Sequence, residues 1–160
     1  MSEQATSLEL ELAHEAATVA LGLALGRALM AGAVVLLLGE LGAGKTTLTR
    51  GLAAGLGVDP AYVIASPTFT LLNIYPGRLP LFHADLYRLP PGEADDLELL
   101  DQAAAGVLAV EWPERAGQPW PREAVRVDLA HHDDRRQARI GGPASLIARL
   151  AAELGASEKG

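Results

Sequence analysis

Cysteine is absent from this 160-residue chain, which excludes disulfides, thiolate zinc sites and iron–sulfur clusters. Aromatic residues make up only 4%, so the core has to be assembled from Ala, Leu and Val. Basic side chains are outnumbered, 13 Lys and Arg against 20 Asp and Glu, for a formal charge of −7. A phosphate backbone is held by a basic face that releases its counterions, and no such stripe is visible. Any role involving RNA would therefore leave most of the holding to a partner. The polar start, Met1 to Thr6, has no basic stretch leading into an apolar one, so no secretory signal is expected. Val34 to Leu38 is far too short to span a bilayer, and the longer Ala/Leu-rich stretch 16–38 is interrupted by Gly22, Gly26, Arg27 and Gly32. A cytoplasmic chain without a membrane segment is the expectation. Asparagine occurs once, at Asn73, so the N-K-x-D sequence that reads guanine cannot form.

What is present centres on Gly39-Glu40-Leu41-Gly42-Ala43-Gly44-Lys45-Thr46, which fits the phosphate-loop pattern G-x-x-x-x-G-K-[ST]. An apolar strand signal, Ala33 to Leu38, runs into it, and helical spacing from Thr46 to Leu56 leaves it. A chance match to the four fixed positions in such a chain is roughly one in a few hundred, and the flanking elements lower that further. Glycines 39, 42 and 44 let backbone N–H groups point inward where a Cβ would obstruct a phosphate. The positive end of the following helix favours an anion there. Lys45 can reach the β- and γ-phosphates, and Thr46 can place its hydroxyl on Mg²⁺. ATP is favoured over GTP by the missing guanine sequence.

Along the chain, Ser7 to Leu12 alternates like a half-exposed strand, and 15–31 reads as a helix with Ala16, Val19, Ala20, Leu23, Leu25 and Leu29 on its apolar face and Gly32 to stop it. Strand 33–38 and helix 45–56 follow. Asp59-Pro60 opens a turn, Tyr62 to Ile64 reads as a short strand, and Leu71–Tyr75 with Leu79–Leu86 as a hairpin. The acidic run Glu93 to Asp101 suggests a short exposed helix, and Gly106 to Glu111 a buried strand. Ala124–Leu129 and Gln137–Ile140 look antiparallel, and Pro143 starts a last helix to about Leu154. Together these predict one α/β unit over 1–160: a three-layer, P-loop NTPase-like domain with a mixed parallel/antiparallel sheet, core about 7–154 and a loose tail 155–160.

Phosphoryl chemistry also needs carboxylates for the metal and for orienting water. Asp85 and Glu111 both end apolar runs, at the rim where the phosphate loop opens. Thr68 and Thr70 could sense the γ-phosphate, or merely cap a turn. His131-His132 are adjacent on a strand and point to opposite faces, so a shared ion is not expected. Arg135, Arg136 and Arg139 could contact phosphates, the adenine side or an acidic partner, or balance Asp133 and Asp134. Trp112 is as consistent with packing as with function.

G-E-L-G-A-G-K-T-T, S-P-T-F-T, H-A-D-L-Y-R-L and V-E-W-P-E, in this order and spacing, closely resemble the TsaE (YjeE) family, over roughly residues 7–141. These are small bacterial ATPases of tRNA threonylcarbamoyladenosine modification. The resemblance implies an ATP/ADP site formed by Gly39 and by Gly42, Ala43, Gly44, Lys45, Thr46 and Thr47. It places Thr46 on Mg²⁺, with Asp85 and Glu111 serving the metal and hydrolysis, and makes Thr68 switch-like. Thr18 corresponds to a threonine near the adenine in relatives, and Arg136 to a basic residue near the nucleotide. It further implies two partners, the threonylcarbamoyltransferase TsaD and its inactive homologue TsaB, with ATP hydrolysis resetting their complex. No strong direct tRNA binding is expected of the chain alone. Two departures stand out: Glu40 where relatives usually carry Asp, and Ala13-His14 where a capping hydroxyl is common.

Three readings follow. One is an ATPase switch acting on a protein complex. The alternative is a small-molecule P-loop kinase, which would need an acceptor pocket and an arginine-bearing lid, for which only the 131–139 turn is a candidate. The third is a nucleotide-binding module without turnover, against which Lys45 and two placed carboxylates speak.

Overall fold

The computed structural model describes residues 5–67, 71–88, 90, 98–116 and 119–158, with the side chains of 5 and 156–158 left aside. Seven strands form one sheet: β1 (Ala5–Leu12), β2 (Val34–Leu38), β3 (Leu72–Tyr75), β4 (Leu81–Asp85), β5 (Val107–Glu111), β6 (Val125–His132) and β7 (Arg135–Pro143), in the order β1-β7-β6-β2-β5-β4-β3. The middle, β6-β2-β5-β4, is parallel, and both wings are antiparallel. The mixed three-layer α/β expectation is what the fold gives.

The central strands are apolar on both sides because both are covered. Val35 and Leu37 of β2, like Val107 and Ala109 of β5, face a core shared with α1 (Glu15–Ala28), α2 (Lys45–Gly55) and α4 (Ala144–Glu158). Val34, Leu36, Leu108 and Val110 face a smaller core, closed by α3 (Leu99–Gln102) and by Trp112, Ala116, Trp120 and Ala124. Leu21, Leu25, Leu48 and Leu52 are almost fully buried, each contributing about 1.5–3 kcal/mol relative to exposure.

Helices α1 and α2 cross on glycine. Gly22 and Gly26 of α1 face Gly51 and Gly55 of α2, and a Cβ at these four positions would come within 2.2, 2.6, 2.1 and 2.4 Å of the other helix's backbone. The inward face of α1 is therefore turned from the one that counting apolar residues predicts. Leu25 and Leu29 are buried as expected, but Ala16 is exposed and Thr18, Leu21 and Gly22 face inward. The helix ends at Ala28, short of residue 31, with Leu29 extended as its cap, and Gly32 instead makes the turn into β2 with φ +90°. His14 replaces the missing capping hydroxyl: its Nδ1 accepts from the Ala17 N–H at 3.2 Å.

α2 stops in a Schellman arrangement. Gly57, at φ +79°, donates to the Ala54 carbonyl, and Val58 to that of Ala53. The hairpin at residues 71–86 pairs as predicted, in β3 and β4. Tyr62 to Ile64 is not a strand: Val63 is exposed, Tyr62 sets its ring edge-on to Tyr75, and Ile64 leans on the core. The segment follows an Asp59 turn, with the carboxylate accepting from Ala61 N–H, and Tyr62 and Ile64 of its apolar run are used for packing and not for pairing. Strands β6 and β7 are longer than predicted, joined by Asp133-Asp134 with Asp133 at φ +52°. α4 runs on to Glu158, past the Leu154 at which its pattern weakens. Of the acidic run, only 98–101 lies within the described residues, where Leu99–Gln102 is helical. Among the described residues no helix is long and apolar enough to cross a membrane.

Candidate nucleotide site

The parallel strands β2, β4 and β5 deliver the phosphate loop, Asp85 and Glu111 to one edge of the sheet. Leu37 is the register partner of Glu111 across β2–β5, and Asp85 of Glu111 across β4–β5. Crossover strands force this arrangement, because each ends at the same rim. Glycines 39, 42 and 44 have φ of +147°, +83° and +109°, backbone that other residues rarely adopt. Gly44 is the N-cap of α2, so the helix N-terminus opens directly onto the loop.

A cleft of about 510 Å³ lies there. Gly42, Gly44, Lys45, Thr46, Thr47, Asp85, Glu111 and Arg136 of the expected set line it. So do Glu15, Ser66, Tyr87 and Trp112, which the sequence reading did not place in the site. Gly39 and Ala43 shape the loop from behind: a Cβ on Gly39 would sit 2.6 Å from the Leu129 carbonyl, and Ala43 is buried in the main core. Thr18 is fully buried, its hydroxyl without a partner among the described residues, and its Cγ2 and Arg136 Nη1 come within 3.7 and 4.0 Å of where a Gly44 Cβ would be. Thr68 and Thr70 lie outside the described residues.

Lys45 is buried. Its Nζ donates to the Gly39 carbonyl at 2.8 Å and stands 4.0 Å over the Trp112 ring. Burial pushes its ammonium below the ordinary lysine range, although Glu111, Asp85 and Glu114 pull the other way. Trp112 sits at φ +59°, a costly conformation for a bulky residue, immediately after β5, and its ring lies 4.8 Å from that of Tyr87.

The polar chain continues through hydroxyls. Thr46 Oγ1 lies 2.9 Å from Ser66 Oγ, which donates to Glu111 Oε2 at 3.1 Å, and His83 Nε2 reaches the same Oε2 at 2.7 Å. For Glu111, burial alone would raise the carboxyl, but the hydrogen bond and charge of His83, with Ser66 and Lys45, hold it below the usual range. For Asp85, burial pushes the carboxyl up, reinforced by Glu111 and opposed by the Tyr87 N–H bonded at 2.9 Å.

Sequence reasoning missed His83 and Ser66 as parts of the site. The signal for His83 was parity: two residues before Asp85 on a strand, it shares that face. Ser66 carried no such signal, because it lies in irregular chain.

The arginine cluster divides. Arg135 and Arg139 lie 3.9 and 4.0 Å from Glu11 and Glu9 of β1, while Arg136 turns to the cleft. The candidate lid at 131–139 is a hairpin whose strands leave two residues between them. Among the described residues no three His, Cys, Asp or Glu side chains gather as a self-sufficient metal site. A metal would have to take Thr46 and Glu111 or Asp85 together with ligand oxygens. The hard-oxygen set and the open glycine cradle suit a magnesium–nucleotide pair.

The profile of the family described as "Threonylcarbamoyl adenosine biosynthesis protein TsaE" matches residues 12–139. Curated relatives carrying the name tRNA threonylcarbamoyladenosine biosynthesis protein TsaE include one from a Nostoc species, 47% identical over 81% of this chain and 82% of its own, and one from Bacillus subtilis, 38% identical over 77% and 78%. Among solved structures, Bacillus subtilis YdiB superposes with a TM-score of 0.72 at 29% identity, covering 98% of this chain and 99% of YdiB.

Proposed function

Because the chain belongs to the TsaE family, we propose that it is the Mg²⁺-dependent, ATP-binding and slowly hydrolysing component of the machinery that makes threonylcarbamoyladenosine in tRNA. In this reading its partners are TsaD and TsaB, and ATP serves to reset their complex between rounds. The observation that supports it most is the convergence, at one sheet edge, of a left-handed glycine loop, a buried lysine, a hydroxyl at the head of α2 and two carboxylates.

The roles follow from chemistry. Backbone N–H groups of 42–47 and the N-terminus of α2 bind the phosphates. Lys45 exchanges the Gly39 carbonyl for phosphate oxygens, an exchange made cheaper because its ammonium is poorly solvated where it stands. Thr46, now bonded to Ser66, would hold Mg²⁺ together with Asp85 and Glu111 as further oxygen donors, and the ion when bound would supply charge neutralisation at the phosphates. Glu111, kept ionised, accepts a hydrogen bond from the attacking water and orients it. Arg136, which lines the cleft, flanks the nucleotide beyond Gly44, and Thr18 backs the loop there from the core.

The test is ATP hydrolysis by the chain alone and with TsaD and TsaB, read beside tRNA modification. Slow turnover that rises with the partner pair supports the proposal. Phosphate transfer to a metabolite without any partner would point to a small-molecule kinase instead.

A further inference from the structure

We infer that His83 is a positioning residue for Glu111: from inside the core it fixes the carboxylate that the hydrolysis reading above makes the water-orienting group. His83 is fully buried on β4, and its Nε2 lies 2.7 Å from Glu111 Oε2. Its register partner on β5 is Ala109, two residues before Glu111 on the same face, so the ring reaches its target along the sheet and not from the cleft. It does not line the cleft. A role in touching nucleotide is therefore closed to it.

The bond is directional. An ionised carboxylate only accepts, so Nε2 carries the hydrogen. The other ring nitrogen, Nδ1, is buried without a partner among the described residues. A buried imidazole with one unsatisfied nitrogen costs stability relative to an aliphatic side chain of similar size, and β4 here carries that cost beside Leu81 and Ala84. Packing does not account for a histidine at this position; holding Glu111 does. Ser66 donates to the same oxygen at 3.1 Å. Two donors on Oε2, from the core and from the loop, restrict the carboxylate's rotation at the wall of the cleft, which Glu111 lines.

The inference rests on ATP hydrolysis being the reaction, and its test separates the two. Hydrolysis of Mg²⁺–ATP and its calorimetric Kd are compared for the full chain, His83→Leu, His83→Gln and His83→Asn, alone and with TsaD and TsaB. Thermal melts establish that each variant is folded. Loss of an outer partner typically costs 10–100-fold. His83→Leu should lose turnover by that factor with Kd within about threefold, whereas His83→Gln, whose amide can reach the Nε2 position, should recover most of it. If the leucine variant does not fold, the glutamine–asparagine pair decides, because the shorter amide falls short of Glu111. Wild-type turnover in His83→Leu, or equal losses in all the folded variants, overturns the inference alone. A wild-type chain that neither binds nor hydrolyses ATP in any company overturns the hydrolysis reading with it.

Discussion

Asp85 and Glu111 stand directly opposite each other at the ends of β4 and β5, yet their carboxyls are driven apart in proton affinity. Burial dominates at Asp85 and raises it, while at Glu111 burial is overcome by His83, Ser66 and Lys45. Environments that separate two neighbouring carboxyls assign them different tasks. Glu111, whose ionised form is the favoured one, is expected to matter most for orienting water. Glu111→Ala should lower ATP turnover by about 10²–10³-fold, the scale of one positioned electrostatic group, while ATP still binds. Single-turnover hydrolysis alongside calorimetry checks both halves, and unchanged turnover removes Glu111 from the role.

The same shifts set a dependence on pH. Glu111 has a folded pKa below its ordinary 4.5, so its ionised form stabilises the fold above that value, and the contribution is lost as pH falls through the lowered one. Asp85 runs opposite: its contribution is present in acid and disappears as pH rises through its raised folded value. Urea unfolding of the chain and of Glu111→Gln should therefore show an advantage for the native residue at pH 7 that narrows in the acid range. A gap that widens towards acid would contradict the assignment.

Lys45 is buried against Gly39 and Trp112 at the head of the phosphate loop's helix. Lys45→Ala should abolish ATP binding or turnover while leaving the fold intact, since an ammonium in that setting is costly to bury. Calorimetry with Mg²⁺–ATP and a thermal melt measure the two effects separately.

The glycine crossing makes a prediction about stability alone. Gly51→Ala places a methyl 2.1 Å from the Val19 carbonyl, backbone that cannot step aside, and should cost about 1–3 kcal/mol or more. Gly155→Ala, in α4 with nothing within 4 Å, should stabilise by up to about 1 kcal/mol through helix propensity. Urea denaturation of both variants tests the contrast, and equal effects would mean that the helices do not meet on their glycines.

These four glycines also mark where the sequence stopped being legible. Read singly, Gly22 and Gly26 interrupt an apolar stretch; their purpose appears only when Gly51 and Gly55 arrive from another helix. The phosphate loop, β2, β5 and the 71–86 hairpin were readable because their signals are local: left-handed glycines, unbroken apolar runs, a Pro-Gly turn. Asp85 and Glu111 could be proposed for the rim because strand ends carry direction. Their partner His83 needed the β4–β5 register, and Ser66 needed the path of an irregular loop, neither of which periodicity encodes. Tyr62 to Ile64 failed as a strand for the converse reason: its composition was right, but Tyr62 packs onto Tyr75 and Ile64 onto the core, with Val63 left exposed, instead of pairing.

The most direct test of the account is a calorimetric titration of the chain with ATP in the presence of magnesium, run beside Lys45→Ala. Saturable binding at one site by the native chain, lost in the variant, is the predicted result. No heat from the native chain, alone or with TsaD and TsaB, would contradict it.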